Sequence, residues 1–113
     1  MKQDRFYLIY IKECIARVEE YTANGKDAFL ASHLIQDGVL RNLHTLSEST
    51  QRLSSRLKDT YPHVPWADIA RFRNVLVHDY LSIDLEQIWD NINIDLPPFK
   101  EQINKILTDL GHS

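Results

Sequence analysis

The sequence predicts an all-α fold, a bundle of four to five helices, and three observations favour it. Glycine and proline are scarce, at 3 and 4 of 113 residues, so turns are few and the elements are long. Apolar residues recur at steps of three and four, which is the period of one helix face. The composition is 43% hydrophobic and 26% charged, which is enough for a buried core in a domain of ordinary size. Residues 1–113 are therefore predicted to form one domain.

Two helices are predicted in the first half of the chain. The first runs from about Lys2 to Ala23, where Asn24-Gly25 ends it with a left-handed cap; its apolar face is Leu8, Ile11, Ile15 and Val18. The second begins behind Asp27 as N-cap and continues for roughly thirty residues, about 45 Å in length. Its apolar stripe consists of Ile35, Val39, Leu43, Leu46, Leu53 and Leu57. A helix of this length is expected to extend past its neighbours or to pack against a second chain.

The second half begins at the clearest break, Tyr61-Pro62-His63-Val64-Pro65. Pro65 suits the first turn of a third helix, which runs through the segment WADIARFRNVLVHDY. Asp84 and Gln87 have capping-box spacing at the start of a short helix. The last helix is predicted to start at Asp95-Leu96-Pro97-Pro98, to end at Gly111, and to bury Phe99, Ile103, Ile106 and Leu110.

Charge and cysteine content limit which classes of protein and which cellular compartment the sequence fits. The net charge of −3 argues against a protein that coats nucleic acid by bulk attraction, yet the charge is uneven. Residues 41–73 hold six Lys or Arg and three acids, whereas residues 79–95 hold five acids and no Lys or Arg. The first 21 residues are interrupted by charge every few positions, unlike a signal peptide or membrane span, and the one cysteine cannot form an internal disulfide. We expect a cytoplasmic protein with no membrane partner.

The third helix carries an unusual set of polar residues. On an ideal helix Arg73 falls in the middle of the apolar face, where a guanidinium needs partners because an unpaired buried charge is costly. Asn74 and His78 share the adjacent face, and Tyr80 lies two turns along from Arg73. These four side chains either converge on one cleft and form a functional site, or they have structural roles only. In the structural alternative Arg73 is a buried ion-pair partner, for Glu48 or Asp84, His78 is a helix C-cap and Tyr80 is a core aromatic.

The surrounding segment resembles a known family. The stretch PWADIARFRNVLVHDYLSIDLEQIWDNINIDLPPFKEQI is similar to the HepT-like branch of the HEPN superfamily, ribonuclease toxins encoded beside a minimal nucleotidyltransferase. The matching residues are Pro65-Trp66, Arg73-Asn74, His78, Tyr80, Ile83-Asp84, Trp89 and Leu96-Pro97. Upstream, Leu46-Ser47-Glu48 and Arg52-Leu53 match the glutamate-bearing stretch of the family's second helix. The resemblance covers nearly the whole chain.

The resemblance implies an all-α homodimer that cleaves RNA without a metal or other cofactor. It makes Arg73 and His78 the catalytic pair, with Asn74 as the polar residue beside them. Side-chain chemistry agrees, since an imidazole titrates near ~6.5 and an arginine fork holds two phosphate oxygens. The resemblance also implies that Tyr80 accepts AMP from the partner nucleotidyltransferase, which neutralises the toxin of a type VII-like toxin–antitoxin pair.

Further residues are assigned weaker roles. Arg71 and the basic residues Arg52, Arg56 and Lys58 are expected to guide the RNA backbone, with transfer RNA as one candidate substrate. A homodimer would bring two copies of His78 to one cleft, supplying both an acid and a base. The second and third helices are expected to form its interface. The alternative interpretation is a non-catalytic helical subunit that binds and positions a nucleotidyltransferase.

No metal site is predicted. His33 and His44 lie near one side of the second helix but lack a third ligand. Helix capping and a solvated face explain Asp84, Glu86 and Asp90 at least as well as Mg²⁺ binding does. Cys14 is expected to pack in the core.

Overall fold

The chain folds into helices throughout the part that the structure, a computed structural model, describes, namely residues 2–78 and 83–111. Seven helices follow one another there, α1 (Lys2–Tyr21), α2 (Lys26–Ala31), α3 (His33–Gln51), α4 (Ser55–Thr60), α5 (Trp66–His78), α6 (Leu85–Ile94) and α7 (Leu96–Asp109). The all-α prediction is confirmed. The predicted count of four to five helices is wrong, because the long second helix is divided into three.

The first division of that helix lies at Ser32. Its backbone is extended (φ −123°, ψ 113°), and its hydroxyl accepts a hydrogen bond from the Ile35 amide at 3.2 Å, which starts α3. The Gln36 side chain donates to the carbonyl oxygens of Phe29 at 2.9 Å and Leu30 at 3.1 Å, so the end of α2 is satisfied as well. The predicted cap at Asp27 is also wrong. Gly25, at φ 95°, holds the cap position, and Asp27 lies in the first turn of α2.

The second division lies at Ser54, which caps α4. Its hydroxyl accepts a hydrogen bond from the Leu57 amide at 3.1 Å, and Arg52 ends α3 two residues earlier. Leu53 and Leu57 are both buried, as predicted, but they belong to different elements. No described helix reaches the predicted length of about 45 Å, since the longest, α1, has 20 residues.

The helix starts predicted in the second half of the chain are mostly confirmed. Asp84 caps α6, and its Oδ1 accepts hydrogen bonds from the amides of Glu86 at 3.0 Å and Gln87 at 3.2 Å. The return half of the capping box is not made, because the Gln87 amide group donates to Asn91 Oδ1 instead. Pro65 stands directly before α5, and its carbonyl accepts the first helical hydrogen bond, from Ile69.

The helices pack around one apolar core. α1 lies against α3 and α7, α3 also packs on α5, and α6 lies against α7 and α2. Cys14 is fully buried there, as predicted, and burial raises the pKa of its thiol. Ile35 and Leu110 lie only at the edge of the core, unlike the other residues of their stripes. Across the described ranges, no helix is both long and apolar enough to cross a bilayer.

The buried carboxylate of Asp4 links the start of α1 to Ser54, fifty residues further along the chain. Asp4 is 3% exposed; its Oδ1 accepts a hydrogen bond from the Ser54 amide at 2.8 Å, and its Oδ2 accepts one from the Ser54 hydroxyl at 2.6 Å. The same hydroxyl oxygen accepts the amide of Leu57, so one chain of hydrogen bonds runs from α1 through Ser54 into α4. The start of α1 is thereby fixed to the junction between α3 and α4.

We expect Asp4→Ala to lower the free energy of unfolding by about 2–4 kcal/mol, because it removes two charge-assisted hydrogen bonds and leaves the partly buried amide of Ser54 without its partner. Urea denaturation followed by circular dichroism measures the change. Asp27→Ala is the matched control, an exposed carboxylate that also lies in a first helical turn, and should cost less than about 1 kcal/mol. Equal losses in the two variants would contradict the role given to Asp4.

Candidate active site

The proposed catalytic residues lie on α5. The helix continues to His78, so the backbone at Arg73, Asn74 and His78 is helical, as the spacing argument required. Asn74 and His78, four residues apart, therefore share one face. The side chains of these three residues lie outside what the structure describes, and Tyr80 lies outside the described residues altogether. Their convergence on one cleft stays a prediction.

Helix α5 is fixed at its start by Trp66. The indole Nε1 donates to the Tyr61 carbonyl at 2.9 Å, and the ring packs edge-on against Phe99 of α7 with centroids 6.3 Å apart. Leu76 is buried, and Ile69 and Phe72 are partly buried against the core. The apolar face predicted for this helix is therefore present on both sides of position 73.

Helix α3 lies beside α5 and presents polar side chains. The Gln51 side chain donates to the Ala70 carbonyl at 3.3 Å, which joins the end of α3 to the middle of α5. Glu48 lies one turn before Gln51, between His44 and Arg52, with a nitrogen of each 3.8 Å from one of its carboxylate oxygens. The stretch Leu46-Ser47-Glu48 thus turns its first two residues into the core and its glutamate outward.

Sequence reasoning missed the pairing of His44 with Glu48. It weighed His44 only against a metal site with His33 and took the two histidines as solvated, although a spacing of four residues on a helix is itself the signal for a side-chain pair. Among the described residues no group of three or more His, Cys, Asp or Glu is arranged to hold a metal ion. Asp84 caps a helix and Glu86 pairs with Lys26 at 3.4 Å, so both acids have structural partners.

The predicted RNA-guiding residues fall into two places. Arg71 is exposed on α5 and forms an ion pair with Asp68 at 2.7 Å. Arg52 lies at the end of α3, one residue past Gln51, and Arg71 lies one residue past Ala70. The hydrogen bond from the Gln51 side chain to the Ala70 carbonyl therefore joins the two stretches of chain that carry these arginines. Arg56 and Lys58 lie on α4, beyond the Ser54 junction.

An apolar groove that the sequence did not predict lies beside α5. It encloses about 340 Å³ between α3, α5 and the α6–α7 corner, and its walls include Leu43, Ile69, Phe72, Ile92, Leu96 and Phe99. Asp68 and Asp95 also line it. Because the walls come from four helices that are far apart in sequence, no local pattern could have indicated the groove.

The helical bundle and the Arg-Asn-x3-His motif on a helix packed against a glutamate-bearing one define a class, the HEPN-type helical domains. A family model described as "Ribonuclease HepT-like" matches residues 11–106. The chain belongs to the HepT-like ribonuclease family.

Individual relatives agree with this membership. The chain is 35% identical over 112 residues to a Methanocaldococcus jannaschii protein named "Gamma-glutamylcyclotransferase and putative RNase"; the match covers 97% of this chain and 50% of the relative, so the chain spans about half that protein's length. It is 31% identical over 101 residues to the "Probable ribonuclease HepT" of Thermococcus cleftensis, with 88% of this chain and 92% of the relative covered. No solved structure matches the chain.

Proposed function

We propose that the chain is a metal-independent endoribonuclease and the toxin of a toxin–antitoxin pair. One observation carries the proposal: the family match runs from residue 11 to residue 106 and so includes both the glutamate-bearing stretch of α3 and the Arg73-Asn74-x3-His78 motif of α5. The packing of α3 on α5 supports it further, because the two motif-bearing helices are neighbours.

The motif supplies the groups that RNA cleavage needs. The ribose 2′-hydroxyl loses its proton to a base and attacks the adjacent phosphorus; the 5′-oxygen then departs with a proton from an acid. The products are a 2′,3′-cyclic phosphate and a 5′-hydroxyl end. His78 acts as the base or the acid, and Arg73 neutralises the charge that develops on the phosphorane oxygens. Asn74 orients the histidine or the phosphate.

A homodimer resolves the shortage of imidazoles in this scheme. One chain places a single histidine on the catalytic face of α5, whereas the reaction needs both a base and an acid. An isologous dimer that brings both α5 helices to one cleft supplies two copies of His78 and of Arg73. Helices α3 and α5 form the interface in this proposal, as the sequence analysis expected.

In this proposal the toxin is neutralised by modification of Tyr80, which follows His78 by two residues. In the proposed reaction the tyrosine hydroxyl attacks the α-phosphorus of ATP in the partner nucleotidyltransferase, AMP becomes attached to the tyrosine oxygen, and pyrophosphate leaves. The added nucleotide brings bulk and negative charge beside the phosphate-binding arginine, which blocks the substrate.

The proposed cleavage predicts that His78→Ala and Arg73→Ala each lower the rate of RNA cleavage by at least about 10²-fold, since each removes a group that acts in the transition state. Purified protein incubated with total transfer RNA and with messenger RNA measures the effect on denaturing gels. His33→Ala and Arg17→Ala are controls that remove an exposed residue of the same kind elsewhere, and both should cleave at the wild-type rate. Growth arrest that survives His78→Ala would favour the non-catalytic subunit instead.

The shared cleft predicts a non-linear response to mixing. When His78→Ala subunits are mixed and re-equilibrated with wild-type subunits, only dimers with two wild-type chains keep both imidazoles, so half dead subunits should leave about one quarter of the activity. The fraction of dimers is checked by sedimentation. Activity that falls in direct proportion to the dead fraction would contradict a composite site.

The modification predicts that Tyr80 gains the mass of one or more AMP groups when the chain is produced together with the nucleotidyltransferase encoded beside it. Peptide mass spectrometry detects the change. Tyr80→Phe should stay unmodified and stay toxic beside the partner, whereas Tyr61→Phe should behave as wild type. An unmodified Tyr80 in cells that are nevertheless protected would overturn this role.

A further inference from the structure

The apolar groove beside α5 takes no part in the proposed reaction. Its wall on α5 is formed by Ile69 and Phe72, both partly buried against the core. Asn74 is two positions past Phe72, about 200° further around the helix, and so belongs to a different face of α5. The groove and the face shared by Asn74 and His78 are therefore separate surfaces of the molecule.

The groove has an exposed apolar residue among its walls. Ile94, at the end of α6, lines the groove and is 66% exposed, whereas Ile88 and Ile92 of the same helix are buried. The enclosed volume of about 340 Å³ lies within the range of about 300–1,000 Å³ that is usual for binding pockets. Covering Ile94 and the walls with apolar side chains of another molecule is favourable, because it removes that surface from water.

The charge around the groove is negative. Asp68 and Asp95 line it, and none of its described lining residues is Lys, Arg or His. Asp95 stands at the cap position of α7, but its carboxylate makes no hydrogen bond to that helix. Asp90 is exposed one turn before Ile94 on the same side of α6. Only Asp68 has a cationic partner, Arg71 at 2.7 Å, so these three acids, the acidic rim, carry a net negative charge.

This charge distinguishes among the possible occupants. RNA is disfavoured, because its phosphates would meet the carboxylates of Asp90 and Asp95. A second copy of the chain seated symmetrically on this face is disfavoured too, since an isologous contact places the acidic rim against itself. Apolar side chains flanked by Lys or Arg complement both the walls and the rim.

We propose that the groove is a docking site for a partner protein, and that the docked segment presents apolar side chains flanked by Lys or Arg. The apolar side chains pack on Ile94 and Phe72 and between α5 and the α6–α7 corner. The cations pair with Asp95 and Asp90. This docking groove goes beyond the proposed function, because the cleavage reaction does not require it.

A synthetic peptide tests the complementarity of the docking groove. The probe is a labelled helical peptide with Leu along one face and Lys on both sides of that face, and a matched peptide carries Glu in place of every Lys. The Lys peptide should bind with an affinity that falls as salt rises, and the Glu peptide should bind at least about ten-fold more weakly. Fluorescence anisotropy measures both affinities. Equal affinities for the two peptides would overturn the proposal.

Variants of the chain locate the bound peptide. Ile94→Ser should weaken binding of the Lys peptide at least about five-fold, because it removes an apolar contact, and Asp95→Asn should weaken it about two- to five-fold. The matched controls are Leu34→Ser, at a position that is 83% exposed, and Asp37→Asn, an exposed acid on α3. Both controls should bind like the wild type, and circular dichroism checks that all four variants fold. Losses as large in the controls as in the groove variants would contradict the assigned site.

A photo-crosslinking amino acid in place of Ile94 identifies the occupant in cells. Mass spectrometry of the cross-linked peptides should find a segment of another protein that combines apolar side chains with Lys or Arg. The same amino acid in place of Leu34 is the control for chance contacts. Cross-links to a second copy of the chain or to RNA, or no more cross-links at position 94 than at position 34, overturn the proposal.

These measurements separate the docking groove from the proposed function, because none of them involves cleavage. A chain that binds the Lys peptide through Ile94 but cuts no RNA overturns the proposed function and leaves the docking groove. A chain that cuts RNA, but whose affinity for the Lys peptide is unchanged by Ile94→Ser, overturns the docking groove alone.

Discussion

The pair of hydrogen bonds between the Asp4 carboxylate and Ser54 is the contact on which the arrangement of the bundle depends. A carboxylate that is 3% exposed is stable only where donors replace water, and the amide and hydroxyl of Ser54 are those donors. The contact spans fifty residues of sequence. It holds the buried face of α1 against the junction between α3 and α4, at the serine whose hydroxyl caps α4.

This dependence explains which parts of the fold could be predicted from sequence. Apolar periodicity located the helical segments, because burial of one face is a local pattern that every helix repeats. It could not locate the breaks, since Leu53 and Leu57 keep the step of four across Ser54 and both are buried. A serine with a partner three residues ahead is a cap only if the chain before it turns away, and at Ser54 that turn is held by an acid at position 4. The cap at Asp84 was predicted correctly because everything it needs lies within three residues.

For the same reason, only part of the candidate site could be predicted from the sequence. The order Arg73, Asn74, His78 is readable in sequence, and so is the family that carries it. The packing of α3 on α5 is not, because contacts between residues far apart in sequence produce it, among them the Gln51–Ala70 hydrogen bond. The groove along α5 was equally beyond prediction, since its walls come from four helices. The motif shows which side chains are candidates for the chemistry, whereas the contacts that decide what can reach them join residues far apart in sequence.

The net charge of the protein is consistent with a site that depends on a few well-placed residues. A chain of net charge −3 cannot hold RNA by general attraction, so binding has to come from a small number of well-placed groups. Residues 41–73 hold six Lys or Arg against three acids, and α5 begins within that stretch. Counterion release at these few basic side chains supplies an attraction that weakens as salt rises. A chain that is acidic overall and basic beside its proposed catalytic helix is therefore suited to brief contact with RNA, whereas a strongly basic surface would retain every RNA it met.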